Sequence, residues 1–268
     1  MNDRKMTEEK NISISQLALV NTGAVLGEDV RIDAFAIIED NVEIGAGTHI
    51  HAGAIVRSGA RIGCQCEIHP YAVIAGVPQD LKFRGEETTA VIGDRTVIRE
   101  YVTVSRGTAS RDKTVIGSDC LIMAYAHVAH DCVLGDHVII GNASQIAGEV
   151  EIDDWAILSG SVLVHQFTRI GRHSMTQGGS KVTKDIPPYA VVAREPIAFC
   201  GINLVGLRRR DFTEDEIRLI GDAYRILYAQ GLNVSDALEE IESSLEDTPE
   251  RRRILDFIRN SKRGIVKG

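Results

Sequence analysis

A branched aliphatic residue returns at every sixth position through most of the first two thirds of the chain. The column runs Val20, Leu26, Ile32, Ile38, Ile44, Ile50, Val56, Ile62, Ile68 and Ile74, resumes at Ile92, Ile98 and Val104, and continues from Ile116 to Ile170. A period of six matches neither the 3.6 of an amphipathic helix nor the alternation of a lone strand, so the unit is a short strand plus a turn, repeated as a solenoid. A second column, four positions after the first, is small or β-branched: Ala36, Thr48, Ala54, Ala60, Cys66, Ala72, Thr96, Cys120, Ala126, Cys132, Ser144, Ala156 and Ser174. Both columns point inward. Three hexapeptides make one triangular coil, each side stacking on the matching side of the next coil, three repeats further along the chain. At a strand spacing of about 4.8 Å, roughly nine turns form a prism about 40 Å long. Glycine often follows the aliphatic (Gly27, Gly45, Gly63, Gly93, Gly117, Gly135, Gly141, Gly171), where a tight corner favours a residue without a side chain.

The pattern breaks twice, and loops leaving a rigid scaffold are where binding groups are usually mounted. The first break, between Ile74 and Ile92, carries Pro78-Gln79-Asp80-Leu81-Lys82-Phe83-Arg84-Gly85-Glu86; the second, Ser105 to Thr114, is short and basic. After Pro187-Pro188-Tyr189 the period is lost. Thr213 with Glu216 makes a capping box, Phe212 and Ile217 can staple it, and Ile217, Ile220, Tyr224 and Leu227 mark one face of a helix ending near Gly231. A second helix follows Ser235 (Leu238, Ile241, Leu245), and a third starts at Thr248-Pro249 with Ile254, Leu255 and Ile258 as its stripe. The expected organisation is a polar extension over 1–12, a mainly β hexapeptide coil over 13–190 with loops near 76–90 and 105–114, and a small α-helical C-terminal domain over 191–268.

Composition narrows the class. Aromatics are only 5% of the 268 residues, as a core of stacked Ile and Val requires. Met1 to Lys10 is polar without an apolar signal stretch, and nowhere is there an apolar run long enough to span a bilayer, so a cytoplasmic protein without membrane insertion is expected. Five cysteines without paired spacing fit a reducing compartment, and Cys66, Cys120 and Cys132 fall in the small inward column. A net charge of -8 argues against nucleic-acid binding.

The densest chemistry is Ala126-His127-Val128-Ala129-His130-Asp131-Cys132. One coil above His130 stands Gly148 and two coils above stands Gln166; Ala129 likewise projects through Ala147 to His165. A neutral imidazole beside a glycine N–H is the minimum for acyl transfer, since one takes a hydroxyl proton and the other stabilises the developing oxyanion. His49, His51, His69, His137 and His173 read as structural; His51 and His69 are one coil apart, with no partner group evident around them.

Pro78-Gln79-Asp80-Leu81-Lys82 with Gly85-Glu86, the His127 to Cys132 run, His165-Gln166-Phe167, Pro187-Pro188-Tyr189 and the segment Gly201 to Arg210 together resemble the acyl-carrier-protein-dependent UDP-N-acetylglucosamine O-acyltransferases that open lipid A synthesis. The resemblance implies a left-handed parallel β-helix, an exception to the right-handed crossover rule, assembled as a homotrimer with sites in the clefts between subunits. It implies His130 as general base for the glucosamine 3-hydroxyl of UDP-N-acetylglucosamine, attacking a 3-hydroxyacyl thioester on the phosphopantetheine of acyl carrier protein, with no metal and no other cofactor. Gly148 would hold the oxyanion, and Asp131 would pair with the base. Successive strand residues face opposite ways, so that pairing needs a corner at this point. Asp80, Lys82 and His127 would contact sugar and acyl group; His165, Gln166, Asn203, Arg209 and Arg210 would contact the nucleotide side. Glu149 stands where many members have histidine, at a position that grips the sugar, and Val205 stands where many have glutamate. Within Gln177-Gly178-Gly179-Ser180, Gly179 falls at the position that limits acyl length, implying a long chain. Arg208 to Arg210, with Lys82 and Arg84, would receive the acidic carrier protein. Two other classes stay open: a zinc carbonic anhydrase of β-helical type, with His127 and His130 as half of a metal site, and a non-catalytic trimeric scaffold. The Gln79 to Lys82 loop and the arginine run have no task in hydrating carbon dioxide.

Overall fold

The computed structural model describes residues 11–268, so the expected extension over 1–12 lies outside the described residues apart from its last two positions. Short strands stack into three parallel sheets of 9, 8 and 11 strands. The 9-stranded sheet rises from Leu19–Val20 to Lys181–Val182 and the 8-stranded sheet from Val25–Leu26 to Arg169–Ile170. The 11-stranded sheet starts at Ser13–Ile14 and ends in a hairpin of Ala190–Ala193 with Ala198–Ile202. The chain thus winds as a left-handed parallel β-helix. Each short strand sends one side chain in and one out, so His127–Val128 pairs with Gln145–Ile146, and that in turn with Leu163–Val164, with the aliphatics of the inward column buried from Ile32 onward and Val20 and Leu26 half-buried at the open end.

The turns are made differently from the expectation. In the regular coils the residue three after the aliphatic adopts the left-handed conformation, and it is often large: Tyr71, Tyr101, Asp131, Glu149, Trp155 and Phe167 all have φ between 58° and 64°. Such a conformation is unfavourable for an L-residue in isolation and persists because the ladders on both sides dictate it. The glycines after the aliphatics answer a different need. A Cβ on Gly27, Gly45, Gly63, Gly93, Gly117 or Gly135 would sit 2.2–2.6 Å from the next coil. They form a file up one corner where successive coils approach too closely for any side chain.

Both interruptions leave from a single other corner. Glu67 pairs with His49 across one regular coil, but the coil from Glu67 up to its partner Val97 is longer by two hexapeptides, and the next, from Val97 to Leu121, is longer by one. The extra length lies between Val73–Gly76 and Thr89–Ile92, and between Thr103–Ser105 and Lys113–Ile116. In the next coil that corner is the link between His127–Val128 and Val133–Leu134, which contains His130 and Asp131.

The C-terminal part folds as α1 (Leu204–Arg208), α2 (Glu214–Ala229), α3 (Val234–Ser244) and α4 (Pro249–Arg259). The capping box at Thr213 and Glu216 is formed, and Thr248 caps α4 with Pro249 in its first turn. The cap of α3 is Asn233 rather than Ser235, because its carboxamide accepts the Asp236 N–H and starts the helix earlier. No periodicity announces α1; Asn203 caps it by accepting from Gly206 N–H. Ile217, Ile220, Tyr224, Leu227, Ile254, Leu255 and Ile258 make a second core around Tyr189. The tail returns to the coil through bridges of Ile265 to Asp185 and Lys267 to Ala198. No helix among the described residues is long and apolar enough to cross a membrane.

His137, Trp155, His173 and Tyr189 stack up a third file, with ring centroids 3.8, 6.1 and 5.8 Å apart. His173 is 5% exposed, and burial, reinforced by Arg172, Arg210 and Arg253, pushes its imidazole down to about 3. Protonation therefore favours the unfolded chain, whose histidine has the ordinary value of 6.5. The stability this neutral ring contributes is complete above that value and drains as pH falls from it toward about 3. Urea titrations from pH 7 to 4 should show a falling midpoint, and His173→Phe should flatten that fall; an equally steep loss in the variant would contradict the assignment.

Candidate active site

His130 sits at the corner shared by the two loops, 8% exposed. The corner needed for its pairing exists: Asp131 has φ 61°, which turns its side chain back so that Oδ2 lies 2.8 Å from His130 Nδ1. Asp131 is fully buried, and its carboxylate is saturated with donors. Oδ1 accepts the Thr108 N–H at 2.9 Å and the Arg111 N–H at 3.2 Å; Oδ2 accepts the Thr108 hydroxyl at 2.6 Å. Thr114 receives the Asp131 N–H at 2.8 Å, and Arg111 is tied to Glu151 at 2.6 Å, which anchors the loop. A carboxylate that only accepts keeps the proton on Nδ1 and leaves Nε2 as the basic lone pair.

Nε2 faces Gly148. A Cβ there would lie 2.6 Å from Cε1 and 2.7 Å from Nε2, so only glycine lets the ring lie against the strand above it. The neighbouring N–H groups are spent, Ala147 on Val164 and Glu149 on His130, whereas the ladder does not use the Gly148 N–H. From the first loop Asp80 Oδ2 comes within 4.0 Å of Nε2, close enough for one hydroxyl to bond both groups. Asp80 is itself held by accepting the Lys82 N–H on Oδ1. His127 bonds Thr103 through Nδ1 at 2.7 Å, and burial, with the nearby His130 adding to it, pushes its imidazole below the ordinary range.

His127, His130 and Gly148 line a groove of about 410 Å³ on the outer face of the 9-stranded sheet, together with Gln79, Gln145 and Gln166 among others. Nothing in the sequence pattern singles out Thr108, Thr103 or Gln145; Thr108 belongs to an insertion outside the repeat, where register arithmetic has no reach. Asp80, Lys82, Asp131, Glu149, His165, Asn203, Arg209 and Arg210 do not line the groove within one chain, Asp80 and Asp131 standing against His130. Glu149 turns into a separate groove with Arg111, Arg169 and Lys262. His165 is exposed, with Nδ1 2.9 Å from the Gln166 carbonyl. Both ends of the Asn203 carboxamide are engaged, donating to His173 O and accepting from Gly206 N–H. Of the arginine run, Arg208 is paired with Glu214, and Arg210 lies 4.7 Å over Trp155 while donating to Gly206 O, which leaves Arg209 exposed. The buried thiols are inert: burial pushes Cys120 up to about 11 and Cys132 up to about 12.

The groups around His130 can take a proton from a hydroxyl and offer an N–H to an oxyanion, which is the equipment of acyl transfer. Known proteins agree with that chemistry. The family model described as UDP-N-acetylglucosamine O-acyltransferase, domain 2, matches residues 185–266, and the bacterial transferase hexapeptide model matches 23–58 and 113–148. The acyl-(acyl-carrier-protein) UDP-N-acetylglucosamine O-acyltransferase of Pseudomonas fluorescens is 43% identical over 189 residues, 70% of this chain and 73% of its own length. The crystal structure of a UDP-N-acetylglucosamine acyltransferase from Bacteroides fragilis superposes with a TM-score of 0.94 at 51% identity, covering 95% of this chain and 100% of that one. Its counterpart from Francisella novicida gives 0.92 at 37% identity, covering 95% and 94%. With identity and coverage at these levels along a shared fold, the chain belongs to the UDP-N-acetylglucosamine O-acyltransferase family.

Proposed function

We propose that this acyltransferase moves a 3-hydroxyacyl group from the phosphopantetheine thioester of acyl carrier protein to the glucosamine 3-hydroxyl of UDP-N-acetylglucosamine, the entry to lipid A synthesis, in the cytoplasm. The observation that carries the reading is the imidazole of His130, oriented by Asp131 and lying against Gly148. The sugar hydroxyl, between Nε2 and Asp80, gives its proton to Nε2 as its oxygen attacks the thioester carbon. The tetrahedral oxyanion takes the Gly148 N–H, and Asp131 stabilises the imidazolium. Collapse breaks the carbon–sulfur bond, and the departing thiolate takes the proton back from Nε2, leaving an ester and the free carrier thiol. The only auxiliary group these steps use is the carrier's own phosphopantetheine.

The groove is open on the sheet face, with Leu163 exposed in its lining and Phe167 exposed next to Gln166. Groups proposed for the sugar and nucleotide (Lys82, Glu149, His165, Arg209, Arg210) stand outside it in one chain. Both facts suit a homotrimer in which a neighbouring copy completes each site. Asn203 then acts indirectly, shaping the turn that carries Arg209. The zinc carbonic anhydrase reading finds no support, since His127 and His130 belong to no cluster of three metal-ligating side chains among the described residues, and the relatives are acyltransferases.

Gly179 supports a long acyl chain. It has φ 75°, but Ala143 and Ser161 carry side chains in the same conformation at the equivalent corners, and a Cβ on Gly179 would meet nothing within 4 Å. Neither backbone nor packing within the chain demands glycine there. With UDP-N-acetylglucosamine and a series of 3-hydroxyacyl carrier thioesters, a fourteen-carbon or longer donor should outpace a ten-carbon one. Equal or faster turnover of the shorter donor would remove Gly179 as the length-setting position, and the absence of any acylated sugar would remove the function.

A further inference from the structure

His49 and His51 share one face of an extended segment in the 11-stranded sheet, remote in topology from the groove on the 9-stranded sheet. Asp33 stands one coil below His51, and Glu67 one coil above His49. The two imidazoles stack, with centroids 3.7 Å apart. One edge of the pair faces Asp33, whose Oδ2 is 2.8 Å from His49 Nε2 and 3.9 Å from His51 Nδ1. The other edge faces Glu67, whose Oε2 is 2.5 Å from His51 Nε2 and 3.6 Å from His49 Nδ1. His69 stacks beyond His51 at 4.6 Å, closing that side.

We propose that Asp33, His49 and His51 form a site for one divalent metal ion of the zinc class. The three ligand atoms lie within 4.8 Å of one another. Bonds of about 2.0–2.1 Å in a tetrahedron need donors roughly 3.4 Å apart, a separation that the 2.8 and 3.9 Å spacings bracket. Two imidazoles and a carboxylate are a ligand set zinc favours, with a fourth position left for water. The surroundings supply the supports that such a site needs. Arg31 holds the other oxygen of Asp33 at 3.1 Å, freeing Oδ2, and Glu67 receives the outer N–H of His51. A carboxylate on the far nitrogen is what fixes the ring and raises the basicity of a ligating histidine. A metal held here ties adjacent coils near the start of the solenoid, where a terminal coil has a neighbour on one side only. It takes no part in acyl transfer.

The test uses untagged, metal-stripped protein titrated with zinc chloride, read by calorimetry and by the thermal midpoint. Wild type and His130→Ala should each bind one zinc per chain and melt higher with zinc, because a ligand that binds only the folded state stabilises it. His49→Ala, His51→Ala and Asp33→Asn should bind at least about 100-fold more weakly and lose the thermal response, and Glu67→Gln about 10-fold more weakly. These side chains point outward from the coil, so the apo variants should melt close to apo wild type. Failure of wild type to take up a stoichiometric ion overturns the site. So does wild-type binding by the His49 and His51 variants, or binding that is lost with His69→Ala or His130→Ala instead.

Discussion

His130→Ala should fold like the parent and transfer acyl groups at least about two orders of magnitude more slowly, the usual scale for losing a positioned base. The aliphatic column is untouched by this change, because His130 lies on the outer side of its corner and the buried Val128 and Cys132 remain on either side. What survives is the Gly148 N–H and the groove, so residual activity above the uncatalysed rate is expected. The measurement is single-turnover transfer from an acyl carrier thioester, with circular dichroism of the same sample. A folded variant within tenfold of wild type would dismiss His130 as the base.

Asp131→Asn is the sharper probe, since it changes one atom in a residue that touches no substrate. Oδ1 receives two backbone N–H groups, and Oδ2 receives the Thr108 hydroxyl and the His130 ring. A carboxamide has only one accepting oxygen. If it faces the backbone donors, its NH₂ faces Nδ1, which must then accept, and the ring proton moves to Nε2, where the base is needed. If it flips, two buried N–H groups meet another donor, at a cost of about 1–3 kcal/mol for each group left unsatisfied. The first outcome should lower kcat by about 10³–10⁴ with KM little changed, as when a triad carboxylate is amidated; the second should show as a lower melting temperature. A variant with wild-type kcat and wild-type stability would reduce Asp131 to a bystander.

The vertical relation between His130 and Gly148 is legible in the sequence because the coil keeps a strict period from Ile116 onward, and within a strict period counting is geometry. Corner conformation is not legible. Local preference says that Tyr71, Trp155 and Phe167 avoid positive φ, and only the stacked ladders overrule it, so the pattern assigns the turn to glycines that are in fact placed for close approach. Thr108 is hidden for the opposite reason: it lies in an insertion that obeys no period, and its role follows from the corner at which that loop rejoins. No partner for His51 and His69 is evident along the chain, yet Asp33, Glu67 and Glu100 stand around them. Counting by coils reaches the first two once it is applied to the acids as well as the histidines. Helix α1, with Gly206 inside its single short stretch, has too little pattern to read.

The two loops share a point of departure and return, so their lengths are free: strands separated by one or two surplus hexapeptides still meet in register. Between His130 and Gly148 the chain has no such freedom. A hexapeptide duplicated there would keep every Ile and Val aimed at the axis, yet it would carry the glycine to the adjoining side of the prism. The product would be a well-folded coil with its two reacting groups out of reach of each other. Natural variation in length among such proteins should therefore collect in the loops and spare this one interval.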